Sequence, residues 1–284
     1  MVIMPLRFLG YALGLLFLAS PCFAEPAARD LFGAATSPTS GPPISIGGYA
    51  KGCLSGAVQL PTDGPHWEAM RLSRDRRWGT PELVDYIEAL GKSAAQDGWP
   101  GILIGDMGGP RGGPMTSGHA SHQIGLDADI WLKPMPSDHT LSAKERETIS
   151  PMSVLKPGTR EVDPAHFGEA ERMLLYRAAL VPGVARIFVA PGIKRVMCAV
   201  NWRDRSFLNK LRPWYGHDDH FHVRLACPPG ATQCVDQPPA PAGDGCGKDL
   251  DYWFTDAPYK PTTPAPPLTV ADLPKACRAV LEAK

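Results

Sequence analysis

What the chain lacks narrows its chemistry. No CxxC pair occurs among its seven cysteines, so the zinc-finger spacing is missing. There is no HExxH, the helical zinc-protease pattern, and no GxSxG nucleophile elbow. Lysine plus arginine and aspartate plus glutamate are equal at 29 each. That removes the basic excess by which a protein attracts nucleic acid or an anionic membrane. Past the first residues, no apolar run approaches the roughly 20 residues of a membrane span. No internal repeat is present.

The first residues are themselves informative. Arg7, the apolar run Phe8 to Leu18 and the small residues of Cys22-Phe23-Ala24 read as an export signal over residues 1–24, cut after Ala24. Cys22 leaves with it. Cys53, Cys198, Cys227, Cys234, Cys246 and Cys277 remain, an even number that in an exported protein implies up to three disulfides, in pairings that sequence alone does not choose.

Residues 25–284 read as one α+β domain with a central antiparallel sheet flanked by helices. Its irregular ends, an extended arm over 25–48 and a proline-rich tail beyond Cys227, need disulfides to stay in place. Thr80 as N-cap, Pro81 in the first turn and Leu83, Ile87 and Leu90 at helical spacing predict a helix over 81–95. Residues 141–149 and 164–181 also read as helices. Strands are expected at 102–104, 126–132, 186–189 and 221–225, with a glycine-rich loop over 110–118.

Chemistry concentrates in the histidines. Five of the eight lie in two segments, Ser117-Gly-His119-Ala-Ser-His122-Gln-Ile-Gly-Leu-Asp127-Ala-Asp129 and His217-Asp-Asp-His220-Phe-His222. A catalytic zinc takes three nitrogen or oxygen ligands and keeps an open position. His122, Asp129 and His222 can supply that set from two strand ends. Asp127 shares a strand face with Asp129, so spacing leaves open which aspartate would bind. His220 and His222 share a face too, and the natural division gives His222 to the metal and His220 to the proton of the attacking water. His66 and His139 stand alone.

The runs SGHASHQIGLDADIWL and GHDDHFHVRLACP, with GDGC ending at Cys246, resemble the penicillin-insensitive murein endopeptidases. That family lies within the wider group of lysostaphin-type peptidases, D-alanyl-D-alanine carboxypeptidases and hedgehog domains, whose histidine, six residues, aspartate and later HxH pattern falls here on His122, Asp129 and His220-Phe-His222. The resemblance implies hydrolysis of D-alanyl–meso-diaminopimelyl cross-links of peptidoglycan in the periplasm. It selects Asp129 over Asp127, adds His119 to the metal question, and places His217 beside the metal, to orient water or steady the oxyanion. It also implies a role for Asp163 and His166, in a second metal site at a homodimer interface; the same pair reads as a helix N-cap and its i+3 neighbour. The implied disulfides are Cys53–Cys277, Cys198–Cys246 and Cys227–Cys234. The same metal core would serve a D-Ala-D-Ala carboxypeptidase or dipeptidase, or a wall-binding module without catalysis. Arg71, Arg74, Arg76 and Arg77 form a basic patch or a clamp for substrate carboxylates. Trp131, Trp214 and Tyr215 border the histidine motifs as core or as groove.

Overall fold

In a computed structural model, which describes Met1 and residues 25–283, the chain runs through short elements. The strands are β1 Ile44–Gly48, β2 Lys51–Ser55, β3 Val58–Gln59, β4 Asp63–Gly64, β5 Trp67–Ala69, β6 Trp78–Gly79, β7 Ile102–Ile104, β8 Asp127–Pro134, β9 Val184–Val189, β10 Leu211–Pro213 and β11 His220–Leu225. The helices are α1 Ala28–Gly33, α2 Pro81–Gln96, α3 Ala143–Thr148, α4 Glu169–Leu180, α5 Pro191–Ala199, α6 Lys248–Asp251 and α7 Ala276–Glu282. Of the expected export signal over residues 1–24, all but Met1 lies outside the described residues. Among the described residues, no helix is long and apolar enough to cross a membrane.

Seven strands form the main sheet in the order β10-β9-β11-β8-β7-β5-β4. It is mixed, not the antiparallel sheet expected, because two pairs run parallel: β9 with β10, and β5 with β7. Parallel neighbours need a crossover, which a helix usually provides. Here α5 joins β9 to β10, and α2 lies between β5 and β7 in the chain.

Alternation along β8 and β11 divides the sheet chemically. Ala128, Ile130 and Leu132 of β8 share a buried cluster with Phe221, Val223 and Leu225 of β11. Leu83, Ile87 and Leu90 of α2 and Leu174, Leu175 and Ala178 of α4 belong to the same cluster. Their apolar burial, about 25 cal/mol for each Å² taken from water, holds this side together. The intervening residues, Asp127, Asp129, His220, His222 and Arg224, point to the opposite face. There the sheet can carry polar chemistry without breaking its core.

Several boundaries differ from expectation. The arm over 25–48 is partly regular: α1 and β1 join Cys53, Val270, Leu273 and Val280 in a second small core. Thr80 sits at the N-cap of α2, but its hydroxyl caps no backbone N–H. Helix α4 begins at Glu169, not at 164. Residues 163–167 instead make a tight turn, in which the Ala165 N–H donates to Asp163 Oδ1 at 2.9 Å and the His166 N–H to the Asp163 carbonyl at 3.0 Å. Asp163 therefore caps a turn, not a helix. The three disulfides pair as the family resemblance implies, Cys53–Cys277, Cys198–Cys246 and Cys227–Cys234.

Candidate metal centre

The antiparallel register of β8 with β11 sets His222 opposite Asp129 and Arg224 opposite Asp127. Directly opposed residues on one face bring their side chains together. Arg224 makes a two-pronged pair with Asp127, Nε to Oδ1 at 2.7 Å and an Nη to Oδ2 at 3.1 Å. The His122 N–H also donates to Asp127 Oδ2, at 3.0 Å. Burial pushes the Asp127 carboxyl up, but Arg224 and His222 outweigh it and hold it below the usual carboxylate range. Asp127 is thus neutralised by its own neighbours.

Asp129 has no guanidinium partner. Histidines surround it: His122 Nε2 at 3.4 Å and His222 Nδ1 at 3.5 Å from Oδ1, His220 Nε2 at 3.7 Å from Oδ1, and His119 Nε2 at 3.4 Å from Oδ2. Ligands held about 2.0–2.1 Å from a tetrahedral zinc lie about 3.3–3.4 Å from one another. Donor atoms of His119, His122 and Asp129 all lie within 4.8 Å of one another, and that trio could hold a metal ion. His222 adjoins it through Asp129 and through its ring, 4.5 Å from that of His122. Burial would raise the Asp129 carboxyl, yet His122 and His220 keep it well below the ordinary range.

Unpaired buried atoms support the same fit. His122 Nε2 and Asp129 Oδ1, 3.4 Å apart, are both buried with no hydrogen-bond partner. Such atoms cost free energy unless something satisfies them. His222 turns Nδ1 toward Asp129 Oδ1, at 3.5 Å, and Nε2 toward Asp127 Oδ1, at 3.1 Å, so Asp127 lies behind the ring and Nδ1 faces the cluster. A cation among the nitrogens and the carboxylate is the natural partner, and the donor set fits zinc. His122 reaches its place through a left-handed backbone, φ 65°, uncommon for a residue with a side chain. Strain of this kind persists where surrounding structure enforces it.

Around this group sit three residues that sequence reasoning left without a role. Asp106 Oδ2 meets His119 Nε2 at 3.1 Å, an Arg76 Nη at 2.9 Å and an Arg74 Nη at 3.1 Å. Burial raises its carboxyl, but His119 and the two arginines hold it at about 2. Nothing near Asp106 in sequence signals this. Asp219 accepts from His220 Nδ1 at 2.5 Å, and its place beside His220 was the available clue. Arg224 alternates with His222, so it was legible once β11 is a strand. The arginine patch is internally engaged: Arg71 donates to the Arg146 and Glu147 carbonyls, and Arg77 to the Leu60 carbonyl.

His217 and His220 differ in electrostatics. His217 Nδ1 is 2.9 Å from the Tyr215 carbonyl, so it carries the proton there, and burial with the nearby His222 and His220 pushes its pKa down to about 3. For His220, burial lowers the pKa, but Asp129 and Asp219 raise it further. Two clefts meet at the group and share His119 and His220. One, about 170 Å³, includes Arg74, Asp106 and Trp131; the other, about 560 Å³, runs past Phe188 to Trp214 and Tyr215. Trp131 is a buried residue, whereas Trp214 and Tyr215 are exposed. Asp163 and His166 lie outside the convergent group, with Asp163 Oδ2 3.7 Å from His166 Nδ1.

A carboxylate ringed by imidazoles at the strand ends of an α/β sheet, beside accessible clefts, has the form of a hydrolase centre able to take a metal. The chain belongs to the penicillin-insensitive murein endopeptidase family, peptidases of peptidoglycan, whose family model matches residues 45–282. It is 41% identical to the penicillin-insensitive murein endopeptidase of Haemophilus influenzae over 238 residues, covering 83% of this chain and 82% of that one. The protein of that name from Yersinia pestis is 41% identical over 249 residues, 87% of this chain and 88% of the relative. That from Pectobacterium atrosepticum is 38% identical over 275 residues, 96% and 95% of the two.

Proposed function

We propose that the protein is a zinc-dependent endopeptidase that cleaves D-alanyl–meso-diaminopimelyl cross-links of peptidoglycan, acting in the periplasm after removal of residues 1–24. The convergence of imidazoles on Asp129, with Asp127 neutralised separately, is the observation that carries this reading. His122, Asp129 and His222 would hold the metal and leave the open position a catalytic zinc needs, with His119 at its edge between Asp106 and Asp129. The metal would supply Lewis acidity toward the scissile carbonyl and lower the pKa of water. Three disulfides suit an oxidising compartment.

The side chains divide the proton work. Asp219 accepts a hydrogen bond from His220 Nδ1–H and so fixes the proton there, which leaves His220 Nε2 to accept a proton from water and return it to the departing amine. The raised pKa of His220 suits a group that must hold that proton between the two steps. His217, neutral and bonded through Nδ1 to the Tyr215 carbonyl, presents Nε2 as an acceptor. That favours orienting water over donating to an oxyanion. The clefts on both sides of His119 and His220 favour a bond inside a polymer over a terminal one. Asp163 and His166 remain candidates for a second, separate metal site.

Mass analysis of products from purified peptidoglycan tests this. Cross-linked dimeric muropeptides should become monomers, with loss of activity in a chelator and recovery on adding zinc. Release of terminal D-alanine alone would favour the carboxypeptidase reading, and intact dimers would sink the enzyme reading.

A further inference from the structure

The larger cleft continues onto aromatic rings from two distant segments. Trp214 and Tyr215, just after β10, stack at 5.2 Å with an interplanar angle of 28°. Trp253 meets Trp214 at 5.6 Å, and Tyr252 meets Trp253 at 6.0 Å. Toward the centre, Trp214 lies 6.2 Å from Phe188, and Phe188 lies 5.3 Å from His222. The rings therefore form a continuous strip from the donor cluster to the surface. Trp214, Tyr215 and Tyr252 are 43%, 52% and 49% exposed, among the few large hydrophobic side chains left in water.

The strip is held in place. The Cys198–Cys246 bridge ties α5 to the segment that leads into Tyr252 and Trp253. Arg160 donates to the Phe254 carbonyl at 2.9 Å, and Arg195 packs over the Phe254 ring. Contiguous exposed apolar surface marks an interaction site. A pyranose ring offers an apolar C–H face and a polar rim, which suits the electron-rich face of an indole or phenol with water at its edges. An anionic lipid surface would call for a cationic excess, and the chain has none.

Geometry fits the sugars of the substrate. In peptidoglycan each cross-link hangs from a glycan strand by a few residues, and an extended residue spans about 3.3–3.6 Å. A bond seated at the cluster thus leaves its glycan strand about 10–17 Å away, the region into which the strip leads. We propose that Trp214, Tyr215, Tyr252 and Trp253 are a platform for the glycan strand, stacking on its sugar rings while the attached peptide enters the centre. The platform rests on the murein endopeptidase reading above.

Two substrates test it with the full-length, zinc-loaded enzyme: a cross-linked dimer bearing its disaccharides, and the same dimer stripped of sugars by an amidase. Wild type should cleave both, the sugar-bearing one with the higher kcat/KM. Trp253→Ala should lower the ratio of the two kcat/KM values about tenfold, equivalent to about 1.4 kcal/mol, and Tyr252→Ala should lower it in the same direction. Trp253→Tyr, which keeps a stacking face, should restore most of the ratio. Activity on the stripped dimer reports that each variant is folded. Equal loss on both substrates, or a wild-type ratio of one, overturns the platform while leaving the endopeptidase. So does an unchanged ratio accompanied by weaker binding of the variants to phosphatidylglycerol vesicles. If wild type cuts neither dimer, the endopeptidase reading itself falls.

Discussion

Asp127 and Asp129 stand on one face of β8, yet their surroundings assign them opposite tasks. Arg224 and the His122 N–H satisfy Asp127, while Asp129 faces only imidazoles. Asp127→Ala would leave the Arg224 guanidinium, 5% exposed, without its partner. Removing one member of a buried pair costs about 3–5 kcal/mol. The expected result is a large loss of stability in urea, with impaired folding. Asp129→Ala should instead abolish bound zinc and hydrolysis at a smaller cost in stability. Urea denaturation and metal analysis of the two variants check the contrast; full zinc content in Asp129→Ala would overturn the ligand assignment. The histidine motifs were legible because clustered imidazoles at these spacings are rare without a ligand. The choice between the aspartates was not, because alternation treats residues two apart alike. What separates them is a strand ninety-odd residues away, which only pairing brings across.

At the scale of elements, the strands that carry the site were recognisable from period-two alternation, and α2 from its periodicity and Pro81. The parallel pairs were not, since no local signal tells a strand which neighbour it will meet. The turn at Asp163-Pro164 looks like a helix start in sequence because both use an aspartate before proline. The arm over 25–48 hid α1 and β1, whose stability comes from Val270, Leu273 and Val280 at the other end of the chain. Cys53–Cys277, separated by 224 positions, joins those ends. Closing so long a loop should stabilise the fold by about 5 kcal/mol on chain-entropy grounds, against about 2–4 kcal/mol for typical measured bridges. Cys53→Ala/Cys277→Ala is therefore expected to lower the Tm by several degrees and to expose α1 and α7 to protease before the sheet. Intact termini after limited proteolysis of that variant would show that the small core suffices alone.

Across the whole molecule, the sheet spends one face on its core and leaves the other with a carboxylate, several imidazoles and unpaired buried atoms. A metal that binds this folded arrangement and not the unfolded chain adds RT ln(1 + [L]/Kd) to stability, about 2.7 kcal/mol at a hundredfold excess over Kd. For a domain of this size that raises the Tm by roughly 5–10 °C. The increment should depend on pH because zinc takes unprotonated imidazoles. Burial lowers the His122 pKa, but the Asp129 carboxylate outweighs it and holds the imidazole above its ordinary range. Protons therefore compete for His122 more strongly than for an ordinary imidazole, and the competition grows as the pH falls; Asp129, held well below the carboxylate range, stays ionised throughout. The sign follows: the difference in Tm between zinc-loaded and chelator-treated protein should be large at about pH 7.5 and shrink toward about pH 5.5, by about 1.4 kcal/mol per pH unit for each proton displaced. Differential scanning calorimetry at the two pH values measures it, with His122→Ala as the control expected to lose most of the increment. A zinc increment that does not vary with pH, or that survives in His122→Ala, would place the metal elsewhere in the molecule.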